Sequence, residues 1–359
     1  MSAISRRAEV TCDSCELRRA LCFLKNRIGR YSSDWDAYKV LHNPYESVYT
    51  VSPCVSAGHS QSDRKHPVSR AFYKMWELCG DSADLTAMLS DPAPKRFAYV
   101  AEGPGSFVEA VVTLRDRACG EARRSDTHTA VTLASSNRTV PTWKIQQAWA
   151  RRNRVTLSTG DVCSSVALRS FVTSAGGECS CDLVTGDGGF DFSSDFNEQE
   201  RQMIRLISSE CSVAARLLKP GGAAVIKVFD AFDPRTVAVM GRFASMFDSV
   251  DLVKPKTSRP ANSERYMVCT GFARSASALR DLESAAAGRH LAPQGTDQER
   301  HVSEVSKSHA VKQTAHILQV MDAIDRQDKT PCEDLVGEWL REYGLEEGEG
   351  GFFITPRGR

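Results

Sequence analysis

From Val68 to Ala273, short apolar runs alternate with helical patterns, and that rhythm admits few folds. Seven runs read as strands: Phe97–Ala101, Thr129–Leu133, Val155–Leu157, Cys181–Val184, Ala223–Phe229, Ser249–Val253 and Arg265–Cys269. Between the fourth and fifth, Glu198 to Leu218 carries Met203, Ile204, Ile207, Cys211, Ala214, Ala215 and Leu218 at spacings of three and four, one apolar helix face. Lys219-Pro220-Gly221-Gly222 then reads as a break before the next strand. Strands separated by helices predict an α/β domain with a largely parallel sheet.

The flanks differ. Residues 1 to 66 are mixed, first cysteine-bearing, then aromatic, then polar, and read as an N-terminal extension to a domain spanning 67–275. Residues 276–359 form a helical appendage. There Val302, Val305, Ala315, Leu318, Met321 and Ile324 suggest an amphipathic helix and Leu335 to Leu340 a second. Gly344 to Gly351, rich in Glu and Gly, reads as a mobile tail.

Composition removes several classes. Of 359 residues 41% are apolar and 25% charged, as in soluble globular proteins. No run reaches the roughly 18 to 20 apolar residues of a membrane span, and from the charged start no secretory signal is expected. The 12 cysteines therefore read as reduced thiols of an intracellular protein. With 46 basic and 45 acidic residues, any surface for nucleic acid has to be local.

Four segments carry chemistry. Glu102-Gly103-Pro104-Gly105-Ser106-Phe107 follows a strand and opens a helix, where glycines allow close backbone approach to a ligand; its plain reading is a strand-to-helix turn. Asp187 lies among glycines just beyond the Cys181–Val184 strand, where open α/β sheets bind ligands. Lys227 sits inside an apolar strand, and a lysine so placed requires a carboxylate nearby. Lys254 to Arg265 is a basic polar loop able to hold phosphates or simply to be solvated, with Glu264 at the lip of the last strand.

Together these segments resemble the FtsJ-type ribose 2′-O-methyltransferases, with a Rossmann-like, seven-stranded, mostly parallel sheet flanked by helices. The likeness covers roughly Asn43 to Phe272. It implies a catalytic tetrad of Lys74, in Val68-Ser69-Arg70-Ala71-Phe72-Tyr73-Lys74-Met75-Trp76-Glu77, with Asp187, Lys227 and Glu264. It implies S-adenosylmethionine as cofactor, held by Glu102, Gly103, Pro104, Gly105, Ser106 and Phe107, with Asp161 at the adenine. The acidic residue that relatives often carry after the second strand is not evident after Leu133.

Within the family, Asn43-Pro44-Tyr45-Glu46, Asp187-Gly188-Gly189-Phe190-Asp191-Phe192 and Ser258-Arg259-Pro260-Ala261-Asn262-Ser263-Glu264 are similar to cap-specific mRNA enzymes of large DNA viruses and protists. That implies methyl transfer to the first or second transcribed nucleotide of capped RNA, with Ser258, Arg259, Asn262 and Tyr45 on the RNA side. A cationic methylated guanine stacks between aromatic rings, and Tyr31, Trp35, Tyr38, Tyr45 and Tyr49 are the candidates. Lys227 is the expected base, oriented by Asp187, while Lys74 and Glu264 fix the ribose. A base must have its pKa lowered, and here two carboxylates oppose a second lysine.

Two alternatives stay open: a ribosomal or transfer RNA methyltransferase, and a silent RNA-binding capping subunit. Further partners would be other capping or transcription proteins. Location would be the nucleus for a cellular enzyme, the host cytoplasm or virion for a viral one. Cys12, Cys15 and Cys22 have half the spacing of a zinc site, and no metal is expected.

Overall fold

The structure, a computed structural model, describes residues 2–52, 66–134, 140–189 and 199–345, with side chains from Cys15 onward except those of Ser32 and Gln199. Seven strands form one sheet: β1 Arg96–Val100, β2 Thr127–Thr132, β3 Val155–Thr159, β4 Cys181–Gly186, β5 Leu218–Val228, β6 Phe247–Val253 and β7 Arg265–Phe272. Their order is β3-β2-β1-β4-β5-β7-β6, and only β7 runs against its neighbours. This is a Rossmann-like architecture, seven-stranded and mostly parallel. The chain's direction of growth reverses between β1 and β4, so a crevice opens at their carboxyl ends. Both glycine-rich turns singled out in the sequence leave the sheet there.

The central strands are buried on both faces, which explains their near-continuous apolar runs. One face packs Met203, Ile207, Cys211 and Ala214 of helix Gln199–Leu217 against the sheet. The other packs Phe72, Met75, Trp76 and Cys79 of helix Ala71–Asp81, together with Phe107 and Val111 of helix Ser106–Cys119.

One boundary differs from the sequence reading. Lys219 to Gly222 is not a break: β5 already starts at Leu218, paired with Cys181, and resumes pairing at Ala223 opposite Leu183. The shift in register absorbs the Pro-Gly-Gly triplet inside the strand as an irregularity, with Gly221 at φ +76°.

The appendages are helical and pack on each other. Helices Ser2–Ile28 and Ser32–Leu41 meet the long helix Asp297–Asp325 around a third core of Leu21, Leu24, Trp35, Tyr38, Ala310, Ile317, Val320 and Met321. In that long helix the expected stripe is buried at Val302 and Met321 and fails at Ala315 and Leu318. Leu318 is 46% exposed, while Ile317 and Val320 are buried. Helix Val336–Glu342 instead docks beside helix Ala71–Asp81, where Trp339 Nε1 donates to Glu77 Oε2 at 3.2 Å. The tail from 346 onward lies outside the described residues. No described helix is long and apolar enough to cross a membrane.

Candidate active site

A cavity of about 640 Å³ occupies the crevice beyond β1 and β4. Gly103 and Pro104 line it from the first turn, Asp187, Gly188 and Gly189 from the second, and Thr132, Leu133 and Asp161 from the ends of β2 and β3. Lys227 forms part of its wall. The remaining residues of the first motif support the turn from behind. Gly105 adopts φ +111° ahead of the helix, and Ser106 and Phe107 are buried. Glu102 is buried beneath the turn: Oε1 accepts from Phe107 N at 2.7 Å, and Oε2 has no partner among the described residues. Burial first, and the charge of Asp187 second, push its carboxyl well above the ordinary range.

Two ion pairs meet at Lys227, one in the lining of the cavity and the other acting on Lys227 from beyond it. Lys227, from the interior strand β5, lies 3.2 Å from Asp187 Oδ1 and donates to the Asp187 carbonyl at 2.7 Å. Lys74, from helix Ala71–Asp81, lies 2.6 Å from Glu264 Oε1. Glu264 also accepts from Ser258 Oγ at 2.9 Å. Burial opposes its ionisation, but Lys74, Lys227 and Lys254 overcome it and draw its pKa down to about 2. For Lys227, burial favours the neutral amine; Asp187, Glu264 and Glu210 outweigh it and hold the pKa above the ordinary lysine value. The competition that the sequence leaves undecided goes to the carboxylates.

Two polar residues at this site, Tyr266 and Glu210, escape a reading of motifs. Tyr266 faces Lys227 in the β5–β7 register, and its hydroxyl donates to Asp187 Oδ1 at 2.9 Å. Alternation along the chain places it on the side of Glu264, two residues earlier. Glu210 stands seven residues after Met203, on the apolar stripe of its helix, and accepts from Gly188 N at 3.0 Å. Burial raises its pKa to about 8, against the pull of Lys227. Lys254 donates to Ser258 Oγ, Asn262 O and Glu264 O at 2.9, 2.7 and 2.9 Å, closing the loop before β7 around one ammonium group.

The FtsJ-like methyltransferase family profile matches residues 67–272, the segment that builds this sheet and both ion pairs. The chain belongs to that family. Among similar proteins, a cap-specific mRNA (nucleoside-2′-O-)-methyltransferase of Autographa californica nuclear polyhedrosis virus is 32% identical over 214 residues, 58% of this chain and 68% of its own. A cap-specific mRNA (nucleoside-2′-O-)-methyltransferase 1 of Trypanosoma cruzi is 32% identical over 256 residues, 66% of this chain and 67% of its own. That of Trypanosoma brucei brucei reaches 45% over 91 residues, but these are only 25% of either chain.

In this methyltransferase the residues expected on the RNA side take different positions. Ser258 is buried, with its hydroxyl spent on Glu264 and Lys254. Asn262 is exposed at the lip. Arg259 pairs with Glu46, Nε–Oε2 at 3.0 Å and Nη2–Oε1 at 2.6 Å. Arg70, one turn before Lys74, bonds the carbonyls of Glu46 at 2.7 Å and Thr257 at 3.2 Å. Half-buried Tyr45 is thereby held beside the Lys74 helix. Trp35 and Tyr38 lie elsewhere, inside the third core. Tyr31 packs at its edge, and Tyr49 spends its hydroxyl on Pro67 O.

Among the described residues no His, Cys, Asp and Glu gather into a group able to hold a metal. Cys15 is exposed and Cys22 half-buried, and the Cys12 side chain is outside the described set.

Proposed function

We propose that this chain transfers a methyl group from S-adenosylmethionine to the ribose 2′-hydroxyl of the first or second transcribed nucleotide of capped RNA. The observation that carries the proposal is the pairing of Lys227 with Asp187 in the lining of the cavity, with the Lys74–Glu264 pair close enough to act on Lys227.

The cavity suits a cofactor of this kind. Its volume falls within the roughly 300–1,000 Å³ of small-molecule sites. Glu102 has a buried oxygen without a partner among the described residues, and a Cβ on Gly103 would collide with the Pro141 carbonyl and the Thr132 hydroxyl. Gly103, Pro104 and Asp161 would hold S-adenosylmethionine, with Glu102 behind them. When bound, it supplies an electrophilic methyl group on a sulfonium, whose positive charge disfavours a second cation nearby.

Lys227 is the group placed to take the hydroxyl proton. In the free site it is an ammonium, so it has to shed a proton before it can accept one. An RNA strand lying over the mouth would exclude water, and desolvation lowers a lysine pKa. Asp187 fixes the amine through its carboxylate and its carbonyl. Lys74 and Glu264 offer the ribose a donor and an acceptor, holding the hydroxyl in near-attack geometry. Exposed Asn262 and half-buried Tyr45 flank this end, and the names of the relatives support a capped substrate.

The test is tritiated-methyl transfer to matched capped and uncapped RNAs, with a 2′-O-methyl block at nucleotide one or two. Transfer to capped RNA alone is expected, lost when the correct position is blocked. Equal transfer to uncapped RNA would move the assignment to structured RNA. Lys227→Ala should abolish turnover with cofactor binding retained; full activity in that variant would remove Lys227 from the base role.

A further inference from the structure

A buried polar cluster outside the tetrad joins both appendages to the loop that carries Glu264. Lys25, on the N-terminal helix, donates to Asp230 Oδ2 at 2.8 Å and to Ser263 Oγ at 2.9 Å. Ser263 Oγ donates to Asp230 Oδ2 at 2.8 Å and accepts from Gln313 Nε2, on the long C-terminal helix, at 3.2 Å. Gln313 also donates to Ala261 O at 2.8 Å. Arg265 reaches the other carboxylate oxygen of Asp230 at 3.3 Å. Lys25, Asp230, Ser263, Arg265 and Gln313 are all at most 8% exposed.

The placement of these residues along the chain gives the cluster its meaning. Asp230 follows the end of β5, three residues after Lys227. Ser263 and Arg265 are the two immediate neighbours of Glu264. One carboxylate therefore grips both flanks of Glu264 and anchors them to the strand of Lys227. The Ser263 hydroxyl has one proton and two lone pairs, and all three are used. A buried ion pair alone is a weak argument for stability, because desolvating both charges offsets most of their attraction. Converging on the backbone beside a catalytic carboxylate is a reason for its presence that stability does not provide.

We infer that Lys25 and Asp230 are positioning residues for Glu264, so that the N-terminal helix, which lies outside the family-matched segment, sets the geometry of the tetrad. The inference rests on the proposed catalytic role of Glu264. Without Lys25, Ser263 loses a donor and Asp230 loses its nearest cation, keeping the Ser263 hydroxyl and the longer contact to Arg265. The Glu264 loop then has room to shift against Lys74 and Lys227, and a displacement on the order of 1 Å can cost up to about 10²-fold in rate.

The experiment compares Lys25→Met, Asp230→Asn, their double variant and the milder Ser263→Ala in the full chain. It reads kcat and KM on capped RNA, the S-adenosylmethionine dissociation constant by calorimetry, and thermal melting. In Lys25→Met we expect kcat to fall about tenfold or more, with cofactor affinity unchanged, because none of the cluster lines the cofactor cavity. The double variant should be no worse than the poorer single one, the mark of two residues acting through one interaction. Ser263→Ala should lose about threefold to fivefold in kcat while remaining folded.

A kcat per folded molecule within twofold of the parent in Lys25→Met would overturn the inference. If that variant does not fold, the same result in Ser263→Ala decides against it. Glu264→Gln separates the two levels. If it is inactive while Lys25→Met and Ser263→Ala are unimpaired, the positioning role alone fails. If it is fully active, the tetrad reading fails and this inference with it.

Discussion

The Tyr266 hydroxyl donates to Asp187 Oδ1 at 2.9 Å, and the same oxygen lies 3.2 Å from Lys227 Nζ. Asp187 is thus fixed from two sides, by a neutral donor on β7 and a cation on β5. Burial, and then Asp187, push the phenol pKa far up, so it stays protonated and continues to donate. Tyr266→Phe removes that donor without changing the ring. A hydrogen bond to a charged group is worth about 1.5–3 kcal/mol, and part of it should be lost in stability. We expect kcat on capped RNA to drop at least fivefold, with the melting temperature lowered by a few degrees. Unchanged kcat would mean that Lys227 alone orients Asp187.

The parts of this site legible in the sequence are those written locally. Asp187 among glycines after a strand, and Lys227 inside an apolar strand, announce themselves because each violates the pattern around it. Tyr266 and Glu210 do not. A tyrosine in a strand and a glutamate on a helix stripe acquire roles only when β7 lies beside β5 and the helix lies beneath the Asp187 turn. The N-terminal helix was hidden for a related reason. Leu17, Leu21, Leu24 and Ile28 recur at helical spacing, but their partners Ile317 and Val320 are nearly three hundred residues away in sequence. In the partner helix, Leu318 draws attention as an apolar residue, yet polar Gln313 is the one buried.

The proposed base role of Lys227 makes a prediction about pH. Its pKa in the free protein is held above the ordinary lysine value by Asp187, Glu264 and Glu210, which together outweigh burial. The base-competent amine is therefore a small fraction near neutrality and grows with pH. Since kcat/KM reports the ionisations of free enzyme and free substrate, it should rise between about pH 7 and 9 without a plateau, by less than tenfold per unit near pH 8, where Glu210 ionises and strengthens the hold on Lys227. Glu264, drawn down to about 2, remains ionised throughout that range and adds no inflection. A plateau beginning near pH 7 would show that Lys227 is already neutral and that the carboxylates do not control it.

Glu77 gives a stability prediction separate from chemistry. Three residues after Lys74, it accepts from Lys256 N at 2.5 Å, Thr257 N at 3.1 Å, Thr257 Oγ1 at 2.9 Å and Trp339 Nε1 at 3.2 Å. Four donors converge on one buried carboxylate and tie the Lys254–Glu264 loop and the C-terminal helix to the Lys74 helix. Glu77→Gln turns an NH2 toward donors and leaves groups unsatisfied, at a cost of about 1–3 kcal/mol each. We expect urea unfolding to lose about 2–3 kcal/mol, with the slope unchanged. A loss below about 0.5 kcal/mol would mean that the loop is held by its other contacts.

The last prediction concerns the cavity. Gly103 N donates to Thr132 Oγ1 at 3.1 Å, and a methyl group at Gly103 would drive into that hydroxyl and into the Pro141 carbonyl. The carbonyl is backbone and cannot swing aside, so the turn after β1 or the segment at Pro141 must move. Both line the cavity, whereas the cores on the two faces of the sheet lie away from it. Gly103→Ala should therefore weaken S-adenosylmethionine binding at least tenfold by calorimetry and raise KM for the cofactor in parallel. Melting without ligand should shift far less than the ligand-induced stabilisation does, since tighter binding to the folded state adds stability by mass action. Unchanged cofactor affinity would place S-adenosylmethionine somewhere other than the crevice between β1 and β4.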